Sequence, residues 1–413
     1  MNEAPRAGIA ATAVAAFLCD AGFYLAVFTL THALEATGAT SRAVALVLGI
    51  YTLAYAVAAP LLGGLSDRFR FLSVLSGATL FALVYTALGA ALVLEPRPGE
   101  ALPEVVARVA DPRTLTYLAM TLLAVANALF WPALQARIGD RVEDAAGLAR
   151  AIRAFNVAWT TGKASGFLVG GFLFPLDPQA CLIAVAVGGW IVVGAILSEG
   201  RVGRRDRART EAQPETTALP QGRKWAFLLS ALLANFVLWG AVSTLAGLAP
   251  KLAHGLGLDV RQTGVLLCLA LLAQGGTFLV LGSGKRWAYR AALLALSVPV
   301  AAGGLLLLTV TGSLASALLG AALLGACQAV TYAASVFYSL DYDERRGLRT
   351  GIHEAVLAAG GALPILGGQL ADSTGELMAP VWLTLALALP AALVVGLLLW
   401  RAEPSVSLDE GTT

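Results

Sequence analysis

The 413 residues are 58% hydrophobic and only 13% charged, with a formal net charge of +2 and a mean hydropathy of +0.76. Soluble domains carry roughly 25% charged residues, so a soluble globular protein is excluded, and so small a net charge gives no reason to expect a nucleic-acid partner. The charges fall in short clusters between apolar runs of about 20 residues, the length that spans hydrocarbon as a helix.

In chain order the first run covers about 8–33 and contains Cys19 and Asp20. Leu18 is too bulky for a lipoprotein-type processing site before Cys19, and the run continues well past it, so the segment reads as a retained span rather than a signal peptide. Further runs follow at about 43–64, 72–94, 114–135, 153–175 and 179–198. A polar, basic stretch without apolar period, EGRVGRRDRARTEAQPETTALPQGRK at 199–224, then reads as a solvated linker. Six more runs lie at about 225–250, 262–282, 291–311, 313–338, 350–371 and 377–400. The expected fold is an all-α membrane protein of twelve transmembrane helices. It comprises two pseudo-symmetric six-helix bundles, 1–198 and 225–400, with the linker 199–224 and the tail 401–413 in the cytoplasm.

Orientation follows from the basic residues. With both termini cytoplasmic, 21 of them lie on the inner side, six (Arg42, Arg97, Arg108, Arg113, Lys251 and Arg261) lie outside, and Lys163 falls within the membrane. The four cysteines, Cys19, Cys181, Cys268 and Cys327, all sit in apolar runs with no CxxC spacing, which predicts neither disulfides nor a metal site.

An internal repeat supports the division into halves. GKASGFLVGGFL at 162–173 and AGGALPILGGQL at 359–370 superpose on their paired glycines, which sets Phe167 opposite Pro364 and Asn156 opposite His353. Both stretches lie in spans that run from inside to outside, so the repeat is parallel and its axis lies along the membrane normal. GSGK at 282–285 is not a phosphate-binding loop, because Leu279 stands where the first glycine is required and Arg286 follows the lysine. No cofactor is expected, and the chain carries no HExxH or GxSxG of an intramembrane enzyme.

Twelve spans, the parallel repeat, the long linker and GGLSDRFRF at 63–71 together resemble the major facilitator superfamily. The family signature between spans two and three is G-x-x-x-D-[RK]-x-G-x-[RK]-[RK]. Gly63, Asp67 and Arg68 match it, whereas Arg70 replaces its second glycine, and the equivalent loop GSGKRWAYR at 282–290 has lost the acid. The expected role of Asp67 is to accept hydrogen bonds from the amides at the start of span eleven and so latch the cytoplasmic side. Arg68 and Arg70 would pair with Asp140 or Glu143. In span five, Gly162, Gly166, Gly170 and Gly171 fit the spacing that the family's antiporters use, with Phe167 in place of proline. Glycines four apart leave a groove for a close helix, and the resemblance favours export over uptake.

Three charges are the candidate working groups. At about 1.5 Å per helical residue, Asp20 and Lys163 lie roughly 18 and 15 Å above the cytoplasmic ends of their spans, near the midplane. A charge there is costly and marks a site by default. Both are expected to face a central cavity, which the resemblance places along spans one and five, and to pair directly or through water. Such a pair either locks two helices or acts as the switch: a cation competes for Asp20, an anion for Lys163. Glu354 follows His353 near the cytoplasmic end of span eleven and is expected to pair with Arg153 or Arg150 as an inner gate, to carry protons, or to be an interfacial carboxylate without a role. Further cavity candidates, spaced in part i, i+4 on shared faces, are Tyr24, Tyr51, Tyr55, Asn127, Trp131, Asn156, Asn235, Trp239, Gln274, Gln328 and Tyr332.

The reading is a monomeric secondary transporter of the cell (inner) membrane, working by alternating access and exporting small amphipathic compounds against protons. The alternatives are a symporter or uniporter for a sugar or organic anion, a lysolipid transporter, and a scaffold that kept the fold and lost transport.

Overall fold

The computed structural model describes residues 3–93, 111–141, 145–199, 219–284, 286–310, 312–342 and 346–402. Among these there is no strand. The helices are α1 (Glu3–Ala36), α2 (Ser41–Arg68), α3 (Arg70–Val93), α4 (Pro112–Arg141), α5 (Ala145–Leu173) and α6 (Pro178–Glu199). After the linker come α7 (Gln221–Gly247), α8 (Ala249–Leu256), α9 (Val260–Leu281), α10 (Ala291–Val310) and α11 (Leu314–Asp341). The chain closes with α12 (Arg346–Gly361), α13 (Leu363–Thr374) and α14 (Ala379–Ala402). Most of the linker and the end of the tail lie outside the described residues.

Chain chemistry sets where these helices begin and break. Thr40 caps α2 by accepting from the Ala43 amide at 3.2 Å. Asp259 and Gln262 form a reciprocal capping box at the start of α9, which satisfies two amides that the first turn leaves open. Spans seven and eleven, read as continuous, are each divided. Pro250 has no N–H to donate to Ala246, and Pro364 none to donate to Gly360, so α8 and α13 start afresh after a short break. Phe167, at the repeat position of Pro364, leaves α5 unbroken.

Among the described residues eleven spans, one of them α12 and α13 taken together as Ile352–Thr374, are both long and apolar enough to cross a membrane. The twelfth, α5, has 29 residues and falls short on hydropathy because Asn156, Thr160, Thr161 and Lys163 interrupt it. Those residues need no lipid, since α5 is packed between α1 and α9.

The repeat extends to the packing. In the first half α1 packs on α5 and α6, α4 on α2 and α3, and α3 on α6. In the second half the counterparts recur: α7 on α12 and α14, α11 on α9 and α10, and α10 on α14. The halves meet along two seams of the same kind, α5 on α9 and α2 on α12 and α13. The groove of glycines on α5 serves mainly its own half: Gly162 and Gly166 lie against the backbone of Phe17 and Ala21 on α1, and only Gly171 reaches across, to Gly264 on α9.

The outer ends of the seams are sealed. Asp372 near the end of α13 accepts from the Ser41 amide at 2.7 Å and the Arg42 amide at 2.9 Å, at the start of α2. Lys251 on α8 pairs with Glu35 at the end of α1 at 2.6 Å. On the cytoplasmic side, the loop before α10 is anchored within the second half: Tyr289 donates to Asp341 at 2.6 Å, and Asp341 pairs with Lys224 at 3.2 Å. The acid missing from that loop's own sequence is supplied from the end of α11.

Candidate functional site

Between the halves lies a cavity of about 150 Å³, roomy for a head group of a few heavy atoms and small beside pockets for drug-sized ligands, roughly 300–1,000 Å³. Asp20, Lys163 and Glu354 all line it. Its lining reaches furthest towards the cytoplasm at exposed Gln135 on α4 and half-buried Glu354 on α12, so with the outer seals closed the site is reached from inside. Asp20 and Lys163 are 6% and 9% exposed, which places two ionisable groups of opposite sign deep in the bundle.

Of the two arrangements expected, a direct pair and one through water, the direct ion pair is not formed. The Lys163 ammonium instead sits 4.5 Å from the ring centre of Trp159, 4.7 Å from Tyr24 and 5.3 Å from Trp239. Part of the reason is local: Trp159 lies one turn below on the same face of α5, which brings its ring beside the ammonium. Three aromatic faces hold the cation by their quadrupoles, and Asp20 is left with no hydrogen bond or ion pair among the described residues.

The expected Glu354–Arg153 pair is also absent. Arg153 turns instead to the carbonyl of Gly282 at the end of α9, at 3.5 Å, where the exposed carbonyls of a helix end attract a cation. It still joins the halves, but through the backbone. Arg150 is exposed and likewise forms no ion pair with Glu354.

Of the other candidates, Tyr24, Tyr51, Tyr55, Trp131, Trp239 and Tyr332 line the cavity. Tyr51 stacks on Tyr55 at 6.1 Å, and Tyr332 stacks on Trp239 at 5.9 Å. Gln274 and Gln328 do not reach it. They are hydrogen-bonded to each other and line a smaller chamber of about 30 Å³, which shares Tyr24, Lys163 and Trp239 with the first.

Asn127 and Asn235 are buried in helix packing away from both chambers. Asn156 accepts from the Trp159 indole at 3.1 Å and so steadies that ring. His353 is buried behind the cavity wall, bonded to Ser335 at 3.0 Å and edge-on to Tyr332 at 5.3 Å. Adjacent helix positions point about 100° apart, which is why Glu354 faces the cavity and His353 the packing.

Sequence reasoning passed over Trp159, Phe23, Phe155, Gln135, Thr52 and Ser243, all of which line the cavity. Trp159 had a signal, being four residues before Lys163; the others had none beyond lying in spans. The proposed latch falls largely outside the described side chains: those of Gly63, Asp67, Asp140 and Glu143 are among the residues left undescribed. Arg68 lies over the Phe69 ring at 5.2 Å, and Arg70 is half-buried.

The family model for the Major Facilitator Superfamily matches residues 12–282 and 231–413. No curated protein matches the chain. Among solved structures, a bacterial homolog of the human lysosomal transporter Spinster, inward-facing and unoccupied, is 16% identical with a TM-score of 0.70, covering 98% of this chain and 100% of that one. A structure from work on substrate recognition in proton-dependent oligopeptide transporters is 15% identical with a TM-score of 0.70, covering 97% and 100%. The nucleoside transporter NupG, in a mutant form, is 14% identical with a TM-score of 0.69, covering 95% and 99%. At these identities the likeness is one of fold.

Proposed function

Because the chain belongs to the Major Facilitator Superfamily, we propose that it is a secondary transporter of the cell membrane that works as a monomer by alternating access. It exports a small amphipathic organic compound in exchange for protons. The observation that carries this reading is the cavity between the halves, lined by two carboxylates, Asp20 and Glu354, neither of them in a hydrogen bond or ion pair among the described residues.

Both carboxylates line the cavity and neither is held in a hydrogen bond or ion pair among the described residues, so each is free to exchange a proton or a ligand as the halves move. The ionisable groups facing Asp20 are Lys163 on α5, Tyr24 and Cys19 on its own helix, Tyr51 on α2, Tyr85 on α3 and Tyr332 on α11; those facing Glu354 are Tyr55 on α2 and Tyr332 on α11. The two acids and Lys163 are the groups proposed to carry the cycle. Rocking the halves about the α5–α9 and α2–α12/α13 seams, which already meet with the same symmetry, would open the outer seal while closing the mouth at Gln135.

The test is reconstitution in liposomes with an imposed pH gradient and a pH-sensitive dye inside. Proton movement driven by a small amphipathic solute, abolished in Asp20→Asn or Glu354→Gln, is the expected result. Solute flux indifferent to the gradient in wild type would replace this reading with the uniporter one. Flux in the same direction as the protons would replace it with the symporter one.

A further inference from the structure

Lys163 is held in an unusual way for a buried cation. Its three aromatic neighbours come from both halves: Tyr24 from α1, Trp159 from α5 and Trp239 from α7. Rings gathered round an ammonium make the arrangement that recognises organic cations, including quaternary ones. Here the occupant is the chain's own side chain on a flexible stem.

Next to it, Asp20 is 6% exposed and has no hydrogen bond or ion pair among the described residues, although it lines the same cavity. A buried lysine and a buried aspartate face one space without being joined. The charge balance gives the sign of what would join them. Two carboxylates and one ammonium leave the cavity with a formal charge of one negative when both acids are ionised; a monocation brings it to zero, and an anion doubles the imbalance.

The cage is also a partition. Tyr24, Lys163 and Trp239 line both the larger chamber and the smaller one beyond it, so the lysine side chain occupies the boundary between them. Past that boundary the walls are apolar, with Leu267, Leu271 and Ala246, apart from the two glutamines. Gln328 presents a buried amide nitrogen there with no hydrogen-bond partner.

We propose that the Tyr24–Trp159–Trp239 cage is the binding site for the charged head of a small organic monocation, an amine or a quaternary ammonium. Lys163 is a tethered competitor that fills the cage when it is empty and swings to Asp20 when the cation enters. That exchange converts two unjoined buried charges into a pair and leaves the incoming head on the aromatic faces with Glu354 as its counter-charge. The proposal names the substrate class of the transporter reading and rests on that reading only for what the binding is used for.

The test is calorimetric binding on purified full-length protein at fixed pH. The probes are choline and benzyltrimethylammonium, whose charge does not vary with pH, with benzoate as the anion. Wild type is expected to bind the cations and not benzoate. Lys163→Met removes the competitor and should bind them about tenfold more tightly; Trp239→Leu removes a wall and should bind about tenfold more weakly. Asp20→Asn removes the refuge for the lysine and should also weaken cation binding.

Benzoate binding in wild type that disappears in Lys163→Met overturns the proposal, as does cation affinity that Lys163→Met leaves unchanged or lowers while the protein stays folded. Absence of cation binding from both proteins overturns it too. Should Lys163→Met not fold, Trp239→Leu decides alone: weakened cation binding supports the cage and unchanged binding refutes it. Cation binding without flux in liposomes would keep the cage and remove the transporter reading. Flux of a neutral or anionic solute without cation binding would do the reverse.

Discussion

The acids at the rims of the bundle and those in its middle live by different rules. Asp372 accepts two backbone amides, Glu35 holds Lys251, and Asp341 holds both Lys224 and the Tyr289 hydroxyl. Asp20 and Glu354 have no such partner among the described residues and face open space. Satisfied carboxylates stabilise one arrangement of helices. Unsatisfied ones cost stability in every arrangement, and a chain that keeps them has them available for a ligand or a proton. Tyr289 shows the same rule from the donor's side: burial first, then the neighbouring carboxylate, holds its hydroxyl proton on and pushes its pKa up.

The sharpest break of this contrast is at Lys224. It and Asp341 are 6% and 10% exposed in their side chains, and removing one partner of a buried pair costs about 3–5 kcal/mol because the other charge is left stranded. Lys224→Met should therefore lower the melting temperature by the largest margin of any change discussed here, and a second substitution, Asp341→Asn, should restore part of the loss. A single variant with unchanged melting behaviour would mean that the pair is solvated.

Asp372→Ala comes next. It deletes two charge-assisted bonds at the start of α2, worth roughly 1–2 kcal/mol, and it does so across the seam between the halves. The consequence is a conformational shift as well as a loss of stability. About 1.4 kcal/mol is a tenfold change in an equilibrium, so spin-label distances across the outer face should show an outward-open population raised about tenfold. An unchanged distance distribution would assign the outer seal to α5 and α9.

For the cavity acids the sign reverses. Asp20→Asn and Glu354→Gln neutralise carboxylates that lack partners, so each is expected to leave thermal stability unchanged or raise it by about 1 kcal/mol, while proton-linked flux is lost. A large drop in melting temperature for either would place that residue with the rim acids. Smallest of all is Lys251→Ala. Its pair with Glu35 is partly exposed, at 14% and 25%, and such pairs contribute about 0–1 kcal/mol; a loss beyond that would show the outer seal to be more strongly coupled than its exposure suggests.

Some of this could be read along the chain. Apolar runs of bilayer length marked the spans because lipid rewards local sequence, and the excess of inner arginines gave the orientation for the same reason. Span five was read as an apolar run like the others although its hydropathy is weak, and only the packing between α1 and α9 shows where its polar residues go. Asp20, Lys163 and Glu354 were legible as candidates because an intramembrane charge is costly wherever its helix is packed. The breaks at Pro250 and Pro364 were not read, and Pro60, Pro132, Pro299 and Pro390 lie inside unbroken helices, so a proline alone does not announce one.

What these charges touch was not legible. Whether Lys163 meets Asp20 or the faces of Trp159, Tyr24 and Trp239 depends on three helices from two halves brought together by packing, and Trp239 lies 76 residues along the chain from it. The same holds for Arg153, which finds the Gly282 carbonyl, and for Asp341, which replaces an acid the loop itself had lost. The sequence by itself determined which segments lie in the membrane, which way they run and which residues are too costly to be idle, because each of those is a property of a residue and its solvent. Only the tertiary structure decided which of them meet, because contact distances of 3 to 5 Å are set by helices far apart in the chain.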